Sequence, residues 1–275
     1  MSTVTTSASA DLLYDTRAMA GRQLNRVRHN PGLFVITQAM PLTLLLFFGY
    51  VFGSTVALPG GADYRTYIVP GLLATAAAGG LVTGMLTAAA DAQRGVLDRF
   101  RTLPMSRTAV PLGQAAADVL ITAVGLVPLV AVGYAVGWRI ESGPDEAAAG
   151  FALLLLLRFT SAWIGFHLGM VVGKEEAAGQ LASMTFMLQL LSNAYVPAAG
   201  LPGWLRPVVE WNPLSAFNTA ARELFGSAVP GLDDAAGAAW PMTHPVAASL
   251  GWSAVLLAVF VPLAVRRYAR TSANT

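Results

Sequence analysis

Six long apolar runs, separated by polar stretches, dominate the chain. They cover roughly 33–54, 66–90, 117–138, 147–173, 179–197 and 246–265. Each approaches the roughly 20 mostly apolar residues that a helix needs to cross a bilayer. The first contains PLTLLLFFGYVFG and the fourth FALLLLLRF, while the fifth, LASMTFMLQLLSNAYV, has the weakest hydropathy. This pattern predicts an all-α membrane protein with six transmembrane helices.

Between the runs the pattern changes period. Over 11–30, Leu13, Ala20, Leu24 and Val27 fall on one helical face, with Arg22 and Arg26 opposite and Arg17 and Arg28 flanking. A basic amphipathic helix beside a span suits the headgroup plane, where flanking arginines can snorkel; a disordered basic tail is the alternative. Asn30-Pro31-Gly32 breaks it, dividing a tail and interface helix (1–31) from a transmembrane domain (32–275). The connection at about 91–103 reads as a short helix, with Val96, Leu97 and Phe100 apolar and Asp91, Arg94, Asp98, Arg99 and Arg101 polar. Leu103-Pro104 stops it. Such a helix is either gripped by a partner protein or an inert connector. The segment 198–245 is too long for a plain hairpin loop. It predicts two short amphipathic helices, near 203–210 and 214–226, with Pro213 starting the second and Gly226 ending it. Their apolar faces dip back into the bilayer or cap the spans.

Composition and charge add the surroundings. The chain is 55% hydrophobic and 12% charged, with mean hydropathy +0.57, whereas soluble domains carry about a quarter charged residues. Of its 17 Lys and Arg, twelve fall on the side of the N-terminus and four on the other. The positive-inside rule then places both termini in the cytoplasm. Arginine in place of lysine, with much Ala and Gly, points to a GC-rich bacterial genome and hence a bacterial cytoplasmic membrane. The first 31 residues hold no apolar run of signal-peptide length, so no cleaved signal is expected. No cysteine is present, which excludes disulfides and thiolate chemistry. His29, His167 and His244 are too scattered to suggest a metal site. Trp138 and Trp252 fall near predicted outer ends, as interface anchors or as packing residues.

Candidate chemistry is sparse. The stretch Gly169-Met-Val-Val-Gly173-Lys174-Glu175 is one residue short of a phosphate loop and has Glu where Ser or Thr is needed. Small residues recur every four positions, as at Gly80/Gly84 and Gly165/Gly169/Gly173, a spacing that lets helices approach closely within the chain or between chains. Polar groups inside spans should face inward. Gln38 with Phe48, then Thr75 and Thr83, then Thr185, Gln189 and Ser192 are candidate pathway residues, although hydrogen bonding between helices accounts for them equally well. Asp118, at the predicted start of the third span, is expected near the inner interface. Arg158 lies deeper and needs a partner, a cavity or a headgroup, with structural pairing preferred over substrate contact. His167, nine residues on, falls on the opposite face.

At RGVLDRFRTLPMSR the chain resembles the ABC-2 type permease family, particularly its daunorubicin-resistance-like exporter permeases. The segment LPGWLRPVVEWNPLSAFNTAARELFG resembles the same family's Asn-Pro-Leu…Ala-x-Arg segment before the last span. The resemblance implies a type V exporter-like permease with re-entrant outer helices. Two copies of a cytoplasmic ABC ATPase and a second permease subunit, identical or paralogous, would complete it. ATP and Mg would bind the ATPase; this chain would be no enzyme and hold no cofactor, and no nucleic-acid partner is implied. The connection would act as the coupling helix, with Val96, Leu97 and Phe100 as apolar contacts and Arg94, Asp98, Arg99 and Arg101 as polar ones. Trp204, Trp211 and Phe217 would belong to an outer gate. Gln93 departs from the pattern, standing where an acidic residue is usual. The implied cargo is an amphiphilic drug, antibiotic or natural product, or, in a close variant, a lipid or polysaccharide. An ion-coupled carrier would call for paired buried carboxylates and an internal repeat, and a membrane enzyme for convergent His or carboxylates; the sequence suggests neither.

Overall fold

The computed structural model describes residues 8–53, 58, 61–102, 106–232 and 237–270. The Leu103-Pro104 stop and the side chain of Arg101 lie outside them. Among the described residues the regular elements are helices. Helix α1 (Ala8–His29) ends at Asn30, and Pro31 occupies the first turn of α2 (Pro31–Phe47), where its missing N–H would have no partner in any case. Helix α2 widens into a π-helical turn at Phe48–Phe52. The Asp63 side chain accepts the Arg65 N–H and caps α3 (Tyr64–Ala78), which continues through Gly79 into α4 (Gly80–Gln93). The resulting rod, Tyr64–Gln93, has 30 residues, or about 45 Å of helix. Gly95, at φ +65°, makes a turn that a Cβ would strain, and α5 (Val96–Arg101) follows.

Helices α6 (Ala109–Ala135) and α7 (Pro144–Val172) are the next long pair, and α8 (Glu175–Leu190) is shorter. Three brief helices, α9 (Arg206–Glu210), α10 (Pro213–Leu224) and α11 (Trp240–Thr243), precede α12 (Pro245–Arg270). Among the described residues five helices are long and apolar enough to cross a bilayer, against the six expected. The run expected at 179–197 is α8, which begins four residues earlier and stops at Leu190 after 16 residues. Its last turn gives way because the backbone beyond it is held by other elements, as described below. Helix α6 starts eight residues before the expected position. Asp118 is therefore about 14 Å along that helix instead of at its mouth.

Packing follows the small residues. Gly80 and Gly84 of α4 lie against Arg158 and Ala162 of α7, and Gly165 and Gly169 of α7 lie against Leu81 and Met85 of α4. A Cβ on Gly84 would stand 2.7 Å from the Ala162 carbonyl oxygen. Lipid offers no hydrophobic gain for helix association, so such close contact is what holds the pair. Gly173, at φ +65°, ends α7, and Lys174 begins α8. The glycines of the phosphate-loop-like stretch thus pack and terminate helices.

Helix α1 crosses α6 with Thr16, Met19 and Ala20 against Gly113. This rotation exposes Leu13, expected on the apolar stripe, and turns Arg22 inward. Arg22 pairs with Asp91 at 2.7 Å and lies 5.0 Å above the Phe100 ring. Two cores result. The proximal one, on the side of α1 and the end of α12, holds Leu97, Phe166, Met170 and Tyr268. The distal one holds Tyr67, Leu129, Trp138, Leu154, Phe217 and Phe225. Trp138 is buried and donates to Ser227 Oγ at 2.9 Å, so it packs and does not anchor an interface.

Candidate functional site

A cavity of about 520 Å³ opens between α2, the α3–α4 rod, α6 and α8. It runs from Gln23 and Glu175 on the proximal side to Tyr195. Its walls are mostly apolar, contributed by residues such as Phe34, Leu44, Leu72 and Leu126. Polar groups enter at a few points. Gln38 donates to the Gly125 carbonyl at 2.6 Å, where a Cβ on Gly125 would collide with it.

One wall carries an ion pair. Arg158 Nε and Nη2 each donate to an oxygen of Asp118 at 2.6 Å, a bidentate geometry, and Nη2 also donates to Thr83 Oγ1 at 2.9 Å. Thr83 Oγ1 stands 3.2 Å from both Asp118 oxygens. The pair is almost sealed, with 8% of the Arg158 side chain and 14% of Asp118 exposed. Its geometry depends on the glycine contacts, because only close approach of α4 and α7 puts Thr83 within reach of the guanidinium. Arg158 thus has its partner on α6. His167 faces the other way, edge-on to Phe260 of α12 at 5.8 Å.

The cavity brings together Gln38, Thr75, Thr83 and Gln189 of the expected pathway residues, with Arg158. Three others lie elsewhere. Phe48 stacks on Phe52 and meets the ring of Tyr195 at 5.4 Å. Thr185 bonds back to the Ala182 carbonyl. Ser192 accepts from Asn218 within a buried polar cluster. The start of α6 at Ala109 is what brings Asp118 to the depth of Arg158.

Beyond α8 the chain leaves the helix, and its free carbonyls are captured. Asn212 Nδ2 donates to Leu191 O, Tyr67 Oη to Asn193 O, and Tyr64 Oη to Tyr195 O. Arg222 Nη2 donates to Asn193 O at 2.7 Å, and its Nε to Tyr67 O. Ser215 and Thr219 of α10 accept from Asn193. Buried backbone oxygens need such donors, and α10 supplies them from one polar stripe. This accounts for the Asn-Pro-Leu…Ala-x-Arg pattern. Asn212 caps α10 by accepting the Leu214 N–H, Pro213 fits its first turn, and Arg222 grips the segment below.

On the proximal side, Arg94 just before α5 and Asp98 and Arg99 on it face solvent, with Val96 and Phe100 half-buried. Leu97 points the other way, 1% exposed, into the proximal core. It therefore belongs to the fold's own packing and is not an open contact. Gln93 Oε1 accepts the Glu175 N–H at 2.8 Å, and Arg94 pairs with Glu175 at 3.3 Å. The residue that departs from the expected acidic one thus caps α8. On the distal side, Trp204 (76% exposed) and Trp211 stand out from the surface, whereas Phe217 is sealed in the distal core. The expected gate residues are therefore not gathered at one place.

The profile of the ABC-2 type transporter family matches residues 14–225. The chain is 32% identical, over 98% of its length and 89% of the relative's, to the daunorubicin resistance ABC transporter permease protein DrrB1 of Streptomyces coeruleorubidus. It is 24% identical to the probable doxorubicin resistance ABC transporter permease protein DrrC of Mycobacterium tuberculosis, over 86% and 81% of the two lengths. It is 22% identical to the probable multidrug ABC transporter permease YbhR of Escherichia coli, over 59% and 44%.

Proposed function

Because the chain belongs to the ABC-2 type transporter family, we propose how it works as the permease subunit of a drug-exporting ABC transporter. The observation that carries the reading is a likeness to drug-resistance permeases over nearly the whole chain, in a fold that holds a drug-sized, mostly apolar cavity. Helix α8, extended by the captured segment 191–200, completes a sixth crossing. Both termini and α5 face the cytoplasm, following the arginine asymmetry. Helices α9 and α10 form a re-entrant cap on the outer side.

Two copies of an ABC ATPase bind ATP and Mg beneath a pair of permease chains, identical or paralogous. They grip α5 through Arg94, Asp98 and Arg99, with Val96 and Phe100 at the edge of the contact. Movement of α5 passes to α8 through the Gln93 cap and the Arg94–Glu175 pair, and so reaches the cavity wall at Gln189. No step of ATP chemistry falls on this chain. The cargo is an amphiphile of the antibiotic or drug type.

Co-expression with the ATPase encoded beside it tests the reading. ATP-dependent efflux of doxorubicin from inverted vesicles is expected, and its loss when the ATPase carries a dead nucleotide site. Efflux that persists without any ATPase would sink the reading.

A further inference from the structure

Among the described residues that line the cavity, three carry charge: Asp118, Arg158 and Glu175. Asp118 and Arg158 spend their charges on each other. Glu175, at the proximal mouth, therefore leaves the cavity wall with one net negative charge. Its carboxylate is not locked. The pair with Arg94 is one N–H···O contact at 3.3 Å, with 58% of the Arg94 side chain and 52% of Glu175 exposed. Pairs of that kind are weak, because water competes for both partners. The backbone beneath is fixed instead, since Gln93 Oε1 accepts the Glu175 N–H. Glu175 thus holds a half-exposed carboxylate between the cavity and the turn that leads into α5.

From this mouth the cavity extends along α8. Phe186 lines it eleven residues beyond Glu175, about 16 Å along the helix. Leu44 of α2, Leu72 of α3 and Leu86 of α4 line it as well. An amphiphile with its apolar body between these walls brings a protonated amine to Glu175. Once the body is bound, the amine meets Glu175 at the high effective concentration of a tethered group, whereas Arg94 holds it by one exposed contact. An anion in the same place would face Glu175 and Asp118 without an open cation, since Arg158 is committed to Asp118.

We propose that Glu175 is the counter-ion for the cationic group of the cargo, and that cargo takes this carboxylate from Arg94. Arg94 stands just before α5. Its release adds a free cation beside the exposed Asp98 and Arg99, on the side where the ATPase docks. Occupancy of the cavity is thus reported to the motor by exchange of one ion pair for another. The inference rests on the export reading and deepens it, by naming the residue that selects a cation and the one that signals its arrival.

The test uses the permease–ATPase complex in phosphatidylcholine nanodiscs, with doxorubicin and N-acetyldoxorubicin as probes. The two share one ring system, and acetylation removes the positive charge of the amine. Fluorescence anisotropy reads binding, and empty nanodiscs supply the partitioning background. Wild type should bind doxorubicin roughly fivefold more tightly than the acetyl derivative, the strength of one part-exposed ion pair, and doxorubicin should stimulate its ATP hydrolysis. Glu175→Gln should bind both probes alike and hydrolyse ATP at the stimulated rate without drug. Arg94→Gln, which removes the competitor, should bind doxorubicin about twofold more tightly and lose the stimulation. The ratio of the two affinities within one variant does not depend on how much of it is folded. Undiminished preference for doxorubicin in Glu175→Gln overturns the counter-ion. Unchanged affinity in Arg94→Gln, or stimulation of Glu175→Gln as in wild type, overturns the exchange. Any of these with ATP-driven doxorubicin efflux intact removes the inference alone, whereas failure of wild-type efflux with a working ATPase removes the export reading itself.

Discussion

The guanidinium carbon of Arg222 lies 3.6 Å from the centroid of the Tyr67 ring, while its Nε donates to the carbonyl oxygen of the same residue at 3.0 Å. Arg222 is fully buried. Its other arm holds Asn193 O, which also accepts from the Tyr67 hydroxyl. One side chain therefore ties α10 to α3 and to the non-helical segment after α8. Arg222→Met keeps the length and removes every donor. It should cost about 3 kcal/mol, since charge-assisted hydrogen bonds to carbonyls left buried are the expensive kind to lose. Arg222→Lys should recover only part, because an ammonium cannot present two divergent N–H arms along the face of a ring. The thermal midpoint in detergent, read by size-exclusion fluorescence, checks the order wild type, Lys, Met.

The ion pair on the cavity wall behaves differently from a surface pair. Removing Asp118 alone, as Asp118→Leu, leaves an uncompensated guanidinium near the middle of α7 and should cost about 3–5 kcal/mol. Arg158→Met should cost as much by leaving the carboxylate unpaired. Together the two substitutions should come close to wild-type stability, because an apolar pair of similar volume has no charge to desolvate. A double-mutant cycle on thermal midpoints measures this. Strict additivity of the two losses would mean that the pair is not coupled.

Among the helix glycines some meet neighbouring backbone, some meet side chains and some meet nothing. A Cβ on Gly165 would run into the Leu81 carbonyl, whereas one on Gly251 of α12 meets no atom within 4 Å. Gly165→Ala should lose about 2 kcal/mol through forced separation of α4 and α7. Gly251→Ala should lose nothing. The contrast in thermal midpoint tests intrachain packing as the purpose of the α4–α7 spacing.

Much of this architecture was legible in the sequence, and the misses share a cause. Apolar length located every long helix, and the 3.6-residue rhythm located α1, α5 and α10. Pro213 and Gly226 bracketed α10 because a fixed φ and a positive φ are local demands. Depth was harder to read. Pro111, Gly113 and Gln114 interrupt the apolar pattern at the start of α6, so the sequence alone begins that helix too late and puts Asp118 near an interface. The burial of Arg222 could not be read from the sequence, because position along the chain says nothing of what docks on it. A signal was present nevertheless. Ser215, Asn218, Thr219 and Arg222 make a polar stripe on a helix whose other residues, Glu223 apart, are apolar, and such a helix buries its polar stripe only against free backbone. Leu97, buried in the proximal core, departs from expectation for the converse reason. An apolar face on a short surface helix looks the same from sequence whether it meets a partner or its own fold.

That last distinction gives the sharpest test of coupling. If α5 engages an ATPase, the contact must come from the side of the helix that the fold leaves open, which carries Asp98 and Arg99, with Arg94 just before it. Arg99→Glu changes an exposed side chain, so the thermal midpoint of the permease should stay at the wild-type value. ATP-driven efflux should fall at least about tenfold, since like charges meeting at a contact cost several kcal/mol. Leu97→Asp should fail in another way. It buries a carboxylate among Phe166, Met170 and Tyr268 without a partner, which should destabilise the chain by about 3 kcal/mol or more. Lost efflux in that variant would report misfolding and not uncoupling. Gln93→Ala is the intermediate case. It removes the acceptor for the Glu175 N–H and should cost about 1 kcal/mol, as the loss of a helix cap does, while weakening the link from α5 to α8. Measured together as midpoint, ATPase association and efflux, the three should separate cleanly. Full efflux by Arg99→Glu with normal ATPase association would show that the open face of α5 is not where the motor pushes.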